Sequence, residues 1–245
     1  MALLIAACVL PRSAHAGRSF YGWLYGTEVM PERGVELQSW IWDESEKYET
    51  RTHETWLLWS ATVGVTDRLE LGLPVELLWI DTVSPDDPAA RSVYFTFKRY
   101  GVEARYRLAP PDPAEAPAVV PLVRLAVKRD VTMRDQVRIE GDLVASYDRG
   151  PVQAVIDLGI ASNISSSTHH VDARPGVGIS VAVASELRLG AEFYAELSLE
   201  KSGESWMSVG PNLAWTHGRF WLSGTFGIGL YHVETASRFM WGVAF

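Results

Sequence analysis

Cysteine is nearly absent: the 245-residue chain has one, Cys8. No internal disulfide can staple the fold, so backbone hydrogen bonding and packing must hold it together. Positive charge is scarce, with 22 Lys and Arg against 30 Asp and Glu and a net charge of −8. A phosphate backbone needs a basic face, so this balance argues against nucleic acid as a partner. Long apolar runs are missing as well. The longest, Ala2 to Leu10, falls well short of the ~20 residues of a spanning helix. That excludes a helical membrane protein, but not one whose apolar residues arrive at every second position.

The run Ala2 to Leu10 is followed by Pro11, Arg12, Ser13 and the small-x-small triplet Ala14-His15-Ala16. This reads as an export signal over residues 1–16, cleaved before Gly17. Ile5-Ala6-Ala7-Cys8 has the shape of a lipidation box, but too few apolar residues precede Cys8 for that use.

What the rest of the chain has in abundance is alternation, the periodicity of a strand. From 186 to 200, Leu187, Leu189, Ala191, Phe193, Ala195, Leu197 and Leu199 share one face. Glu192, Tyr194, Glu196 and Glu200 share the other. The pattern recurs near 207–215, 220–230 and 238–245. Earlier candidates lie near 34–43, 54–65, 69–81, 91–107, 118–128, 136–147, 152–162 and 173–184. One strand changes phase: Val93, Phe95 and Phe97 are apolar on odd positions, Val102, Ala104 and Tyr106 on even ones. A bulge around Arg99 to Gly101 would re-aim the chain. The spacing predicts about twelve strands over 33–245, without a second domain.

Two all-β arrangements use such strands. A soluble sandwich buries its apolar faces, whereas a membrane barrel turns them to lipid. Here the polar face is rich in glycine and small residues, as a crowded curved interior needs. Aromatics such as Trp79, Tyr147, Trp215, Phe220 and Trp241 lie near the turns on the apolar face, where interfacial girdles sit. The expected fold is a closed, up-and-down antiparallel transmembrane β-barrel.

The last strand, Phe239-Met-Trp-Gly-Val-Ala-Phe245, resembles the C-terminal signature of Gram-negative outer-membrane barrels. That resemblance implies the outer membrane as location, its lipid as surroundings, and an assembly machinery that reads the strand ending in Phe245. The hairpin from Trp59 to Glu76 is similar to one found in small transporter-like barrels, among them the family named for the MetA pathway of phenol degradation. With Phe245 at the periplasmic end, the turns near 65–68, 108–117, 148–151, 184–186 and 216–219 are periplasmic, and the intervening loops face outward. Residues 17–32, with Phe20, Tyr21, Trp23 and Tyr25, then approach from the periplasmic side. They either enter the lumen or lie on its rim.

The default function of such a scaffold is a channel for small polar or hydrophobic solutes. Lumen-lining candidates are the basic Lys98, Arg105, Arg107, Arg124, Lys128 and Arg138 and the acidic Glu70, Glu76, Glu192, Glu196 and Glu200. Sorted by sign onto different strands, they predict a field across the channel, or a closed interior if they pair. Two alternatives remain open: a closed structural barrel, and a lipid-modifying hydrolase. For the hydrolase, His232 lies at the outer rim with Ser205, Ser237 and Glu234 nearby, without a His-x-Ser motif. His53, His169, His170 and His232 fall in or beside outer loops, without zinc-ligand spacing. No glycine-rich phosphate loop is present. No cofactor or metal is expected.

Overall fold

A computed structural model describes residues 19–45, 51–84, 90–112, 115–200 and 203–245. The export signal at 1–16, its cleavage point at Gly17 and Cys8 lie outside the described residues.

Twelve strands are present among these residues. They are β1 (Val35–Ser45), β2 (Arg51–Thr66), β3 (Leu69–Val83), β4 (Arg91–Arg107), β5 (Val119–Asp130) and β6 (Val137–Arg149), then β7 (Val152–Ile164), β8 (His169–Ala182), β9 (Leu187–Ser198), β10 (Trp206–His217), β11 (Phe220–Tyr231) and β12 (Thr235–Ala244). Each pairs antiparallel with its chain neighbours, and β1 pairs with β12 to close the barrel. At the seam, Phe245 N–H donates to the Val35 carbonyl (2.7 Å), and Val35 N–H returns the bond (3.3 Å). The strands match the alternating segments. β8 starts earlier than the expected 173, because His169 and His170 still pair with Ile164 and Asn163 of β7.

The alternation is an inside-outside pattern. On β7, Ile156, Leu158 and Ile160 are about half exposed, while Val155, Asp157 and Ala161 are buried. Many of the exposed aromatics lie toward the two ends of the wall. Tyr106, Tyr147, Trp215, Phe220, Trp241 and Phe245 ring the end that carries the C-terminus, and Trp79, Phe95 and Tyr231 lie toward the other. An apolar band between aromatic belts is the outside of a membrane barrel.

The wall is uneven in height. β2 to β4 run for 15 to 17 residues, β9 to β12 for 10 to 12. β4 pairs with β5 only from Arg99 to Arg107, so its first part has β3 as its sole partner strand among the described residues. There Val93, Tyr94 and Phe95 are all exposed, on both faces of the hairpin. The phase change of β4 is a bulge one residue before the expected stretch: Glu76 faces Arg99 and Leu77 faces Phe97, leaving Lys98 as the extra residue. Both Lys98 and Arg99 consequently reach the Asp130 carboxylate, at 2.8 and 3.8 Å.

The outward face sets a direct test. Ile228, on the outward face of β11 between Phe226 and Leu230, is 55% exposed, so Ile228→Arg should destabilise the barrel in bilayers by up to about 2–4 kcal/mol. Urea unfolding of refolded protein measures this. Ile228→Leu should leave the midpoint unchanged.

Candidate functional site

The interior holds two things: an ionic lattice on the wall and a peptide loop inserted into it. The lattice follows from the inward phase of β3 to β8. Arg124, 1% exposed, donates to Asp142 (2.6 Å), Glu103 (2.6 Å) and Glu140 (2.8 Å). Lys128 joins Glu76 (2.6 Å) to Glu140 (3.1 Å), and Arg138 also donates to Glu140 (2.6 Å). Arg105 pairs with Glu70 at 3.0 Å, Arg99 with Glu76 at 3.3 Å, and Arg174 with Asp142 at 3.5 Å. Antiparallel pairing sets Arg124 between Arg105 and Asp142 on its two neighbours, and a guanidinium fork has enough donors for three carboxylates.

The loop is the segment from Ser19 to Glu32. It starts near the C-terminal end of the barrel, where the Arg188 guanidinium lies 4.2 Å from the Phe20 ring. It rises to mid-height and returns to the same end, where Asp67 accepts the Glu32 N–H (3.0 Å). Its backbone amides, which no strand pairs, are taken up by inward carboxylates. Glu192 Oε1 accepts from Gly22 (2.7 Å), and Oε2 accepts from Trp23 (3.1 Å) and Leu24 (3.2 Å). Asp157 accepts from Tyr25 (2.9 Å) and Glu70 from Met30 (2.5 Å). Thr27 and Ser146 share a hydroxyl contact of 2.5 Å.

Its side chains fill the space around them. Trp23 stacks on Tyr194 with centroids 4.8 Å apart and meets Trp206 edge-on at 5.4 Å. Its indole N–H donates to the Ala236 carbonyl (3.0 Å). Tyr25 lies 4.3 Å from the Arg124 guanidinium. Tyr21 and Leu24 rest on Gly176 and Gly178 of β8, where a Cβ on Gly178 would sit 2.6 Å from the Tyr21 ring. Burial pushes the Glu28 carboxyl above its ordinary range, although Gln153 donates to it (3.2 Å). Cavities of about 70 and 30 Å³ remain around Trp23, Tyr25, Trp40 and Arg238.

Of the candidates read from the sequence, Glu70, Glu76, Arg105, Arg124, Lys128 and Glu192 are buried inside. Lys98, Arg138 and Glu196 are partly buried there, and Arg107 is half-buried without joining the lattice. Glu200 is corrected: β9 ends at Ser198, and Glu200 is an exposed residue at the loop end, 3.3 Å from His170. The expected opposition of a basic and an acidic wall is corrected too. Glu103, Glu140 and Asp142 stand among the basic residues and neutralise them locally, while Glu192 grips the loop. Those acids, with Asp157, Arg174 and Arg238, were legible in principle, being in phase with inward neighbours two or four residues away.

Ser205 Oγ accepts from Ser198 N–H (2.9 Å), and the His232 ring stacks on Tyr231 in a left-handed turn. His170 meets Asp172 at 2.7 Å, and among the described residues no group of three His, Cys, Asp or Glu could hold a metal.

No protein-family model and no curated protein sequence matches this chain. Solved structures match in fold. An outer-membrane channel from Pseudomonas putida F1 has a TM-score of 0.61 at 10% identity, covering 89% of this chain and 98% of that one. The β domain of the Bordetella autotransporter BrkA has a TM-score of 0.54 at 9% identity, covering 86% and 99%. The NanC porin has 0.52 at 10%, covering 86% and 98%. The architecture is that of a bacterial outer-membrane β-barrel.

The lattice predicts a graded response to loss of charge. Arg124→Met leaves three acids without their shared cation and should cost about 3–5 kcal/mol. Arg107→Met should cost under about 1 kcal/mol. Urea midpoints of the two refolded variants, compared with wild type, measure the difference.

Proposed function

We propose that this chain is an outer-membrane channel for small solutes, closed here by its own residues 19–32 and opened when that segment shifts. The observation that supports it most is the construction of the interior. A charged wall surrounds a peptide loop that enters and leaves at one end and is tied by side-chain acceptors. In a barrel that needs no passage, the wall side chains themselves can fill the centre. Here the wall leaves a space wide enough for a strand of peptide. The interior cavities beside the loop, about 70 and 30 Å³, have room for a few waters but form no continuous path past the seated loop, so passage requires movement of the loop. The acceptors that hold it can be hydrated in its absence, which makes the exchange of loop for water feasible.

On this reading the export signal at 1–16 delivers the chain across the inner membrane, and the strand ending in Phe245 is read by the outer-membrane assembly machinery. The loop then enters from the periplasm. The solved channels and porins of the same fold are consistent with the reading, as is the Trp59–Glu76 hairpin resembling transporter-like barrels of phenol degradation. Solutes of either polar or apolar character are compatible with a lumen that combines ionic and aromatic walls.

A reversible lock tests the gate. The two hydroxyls of Thr27 and Ser146 are in direct contact at 2.5 Å, which brings loop and wall side chains within reach of a cross-link. In Thr27→Cys/Ser146→Cys, oxidation should abolish current in planar bilayers, and reductant should restore it to the level of the unlocked protein. Equal current before and after reduction of a verified cross-link would show that the loop does not gate. Absence of current even after deletion of residues 19–31 would favour a closed structural barrel.

A further inference from the structure

Arg238 is the exception in an interior where buried cations are matched. Four Lys or Arg residues among the described residues are more than nine-tenths buried: Arg105, Arg124, Lys128 and Arg238. The first three have carboxylates at 2.6 to 3.0 Å. Among the described residues Arg238 has no carboxylate within 4.0 Å and no hydrogen-bond acceptor; its buried Nε is unpartnered, as are those of Arg105 and Arg124, but it alone of the four has no acid on its terminal nitrogens. What surrounds it is aromatic. The guanidinium carbon lies 4.2 Å from the Trp40 ring centroid and 5.3 Å from those of Trp42 and Trp23.

The placement follows from the register. Arg238 on β12 faces Trp42 across the seam, and Trp40 is the next inward residue of β1. Trp23 comes from the loop. The nearby carboxylate of Glu192 is engaged by three backbone amides. Aromatic faces stabilise a cation but leave the edges of the guanidinium fork unbonded, and a fork in that state binds a carboxylate with two parallel hydrogen bonds. Arg238 lines both of the cavities beside the loop, whose linings also include acids: Glu36 and Glu103 in the smaller, Glu44 and Glu196 in the larger. The smaller also has Leu24, Trp221 and Met240 in its lining, apolar groups suited to a short hydrocarbon tail.

We infer that Arg238, with Trp40 and Trp42 of the wall, is a binding site inside the lumen for the carboxylate of a short-chain organic acid, uncovered when Trp23 shifts with the loop. This deepens the channel reading and rests on it, since the ligand reaches the site along the passage. The aromatic cage distinguishes the site from the rest of the interior, where each ion-paired guanidinium is already engaged.

The test is titration of full-length protein in detergent with propionate, against propionamide as a neutral analogue of the same shape and sodium chloride at matched ionic strength. Tryptophan fluorescence and calorimetry report binding, and bilayer conductance is recorded on the same preparation. The expected result is a saturable response to propionate at millimolar concentration, with none to propionamide or chloride. Arg238→Gln, checked for folding by heat-modifiability, should weaken binding at least tenfold. Arg188→Gln should not, because that guanidinium is occupied by Ser180 and Pro151. A propionamide or chloride response equal to that of propionate overturns the inference, as does unaltered affinity in folded Arg238→Gln. If that variant does not fold, the comparison of acid with amide in wild type decides alone. Saturable binding without conductance would support the site and refute the channel. Conductance without binding would do the reverse.

Discussion

Closure of β1 onto β12 is the constraint from which the rest follows. In hydrocarbon every backbone N–H and C=O must find a partner, and an open edge has none. The exchange of hydrogen bonds between Phe245 and Val35 removes that edge at its last residue. Closure with twelve strands also fixes a circumference, and with it an interior too wide for short side chains to fill. The inward residues are therefore long and charged where they meet one another, as Arg124 and Glu140 do. Elsewhere they are small where something else must fit. Gly176 and Gly178 are small because Tyr21 and Leu24 occupy the space above them.

The loop inside the barrel is held by a different economy from that of the wall. Strands satisfy each other's backbone groups, but residues 19–32 have no strand partner, so their amides depend on carboxylates projecting inward. Glu192 accepts three of them in sequence. A hydrogen bond to a charged acceptor contributes about 1.5–3 kcal/mol, enough to seat the loop without covalent attachment. The lattice on β3 to β8 is mostly self-contained and contributes rigidity on the side where Tyr25 leans on Arg124. One side of the lumen is thus ionic and locked, and the opposite side, around Trp40, Trp42 and Arg238, is aromatic and only partly filled.

The strands were readable because lipid outside and polar contacts inside impose a period of two that no helix shares. Ile156, Leu158 and Ile160 against Val155, Asp157 and Ala161 show why some inward residues blurred the pattern: Val155 is apolar yet packs with Tyr21 and Leu24 in the interior core. The bulge at Lys98 was visible from the switch between Phe97 and Val102. Glu200 was misplaced because alternation continues through Leu197 and Leu199 although the strand ends at Ser198, with one further backbone bond from Leu199 to Val171. Opposed charge walls were misread because sorting residues by sign passed over Glu103, Glu140 and Asp142, in phase on the same or adjacent strands. The position of Tyr21, Trp23 and Tyr25 was undetermined, since aromatic residues suit a rim as well as a lumen. What decides it is far away in sequence, in Glu192, Asp157 and the glycines of β8.

The central claim is that residues 19–32 are seated within the lumen. Amide hydrogen exchange of the wild-type protein in bilayers tests this most directly. Gly22, Trp23, Leu24 and Tyr25 should exchange roughly 100-fold or more slowly than a free peptide, a protection of about 3 kcal/mol, through their bonds to Glu192 and Asp157. Exchange of these four amides at free-peptide rates, while the strands stay protected, would contradict the account.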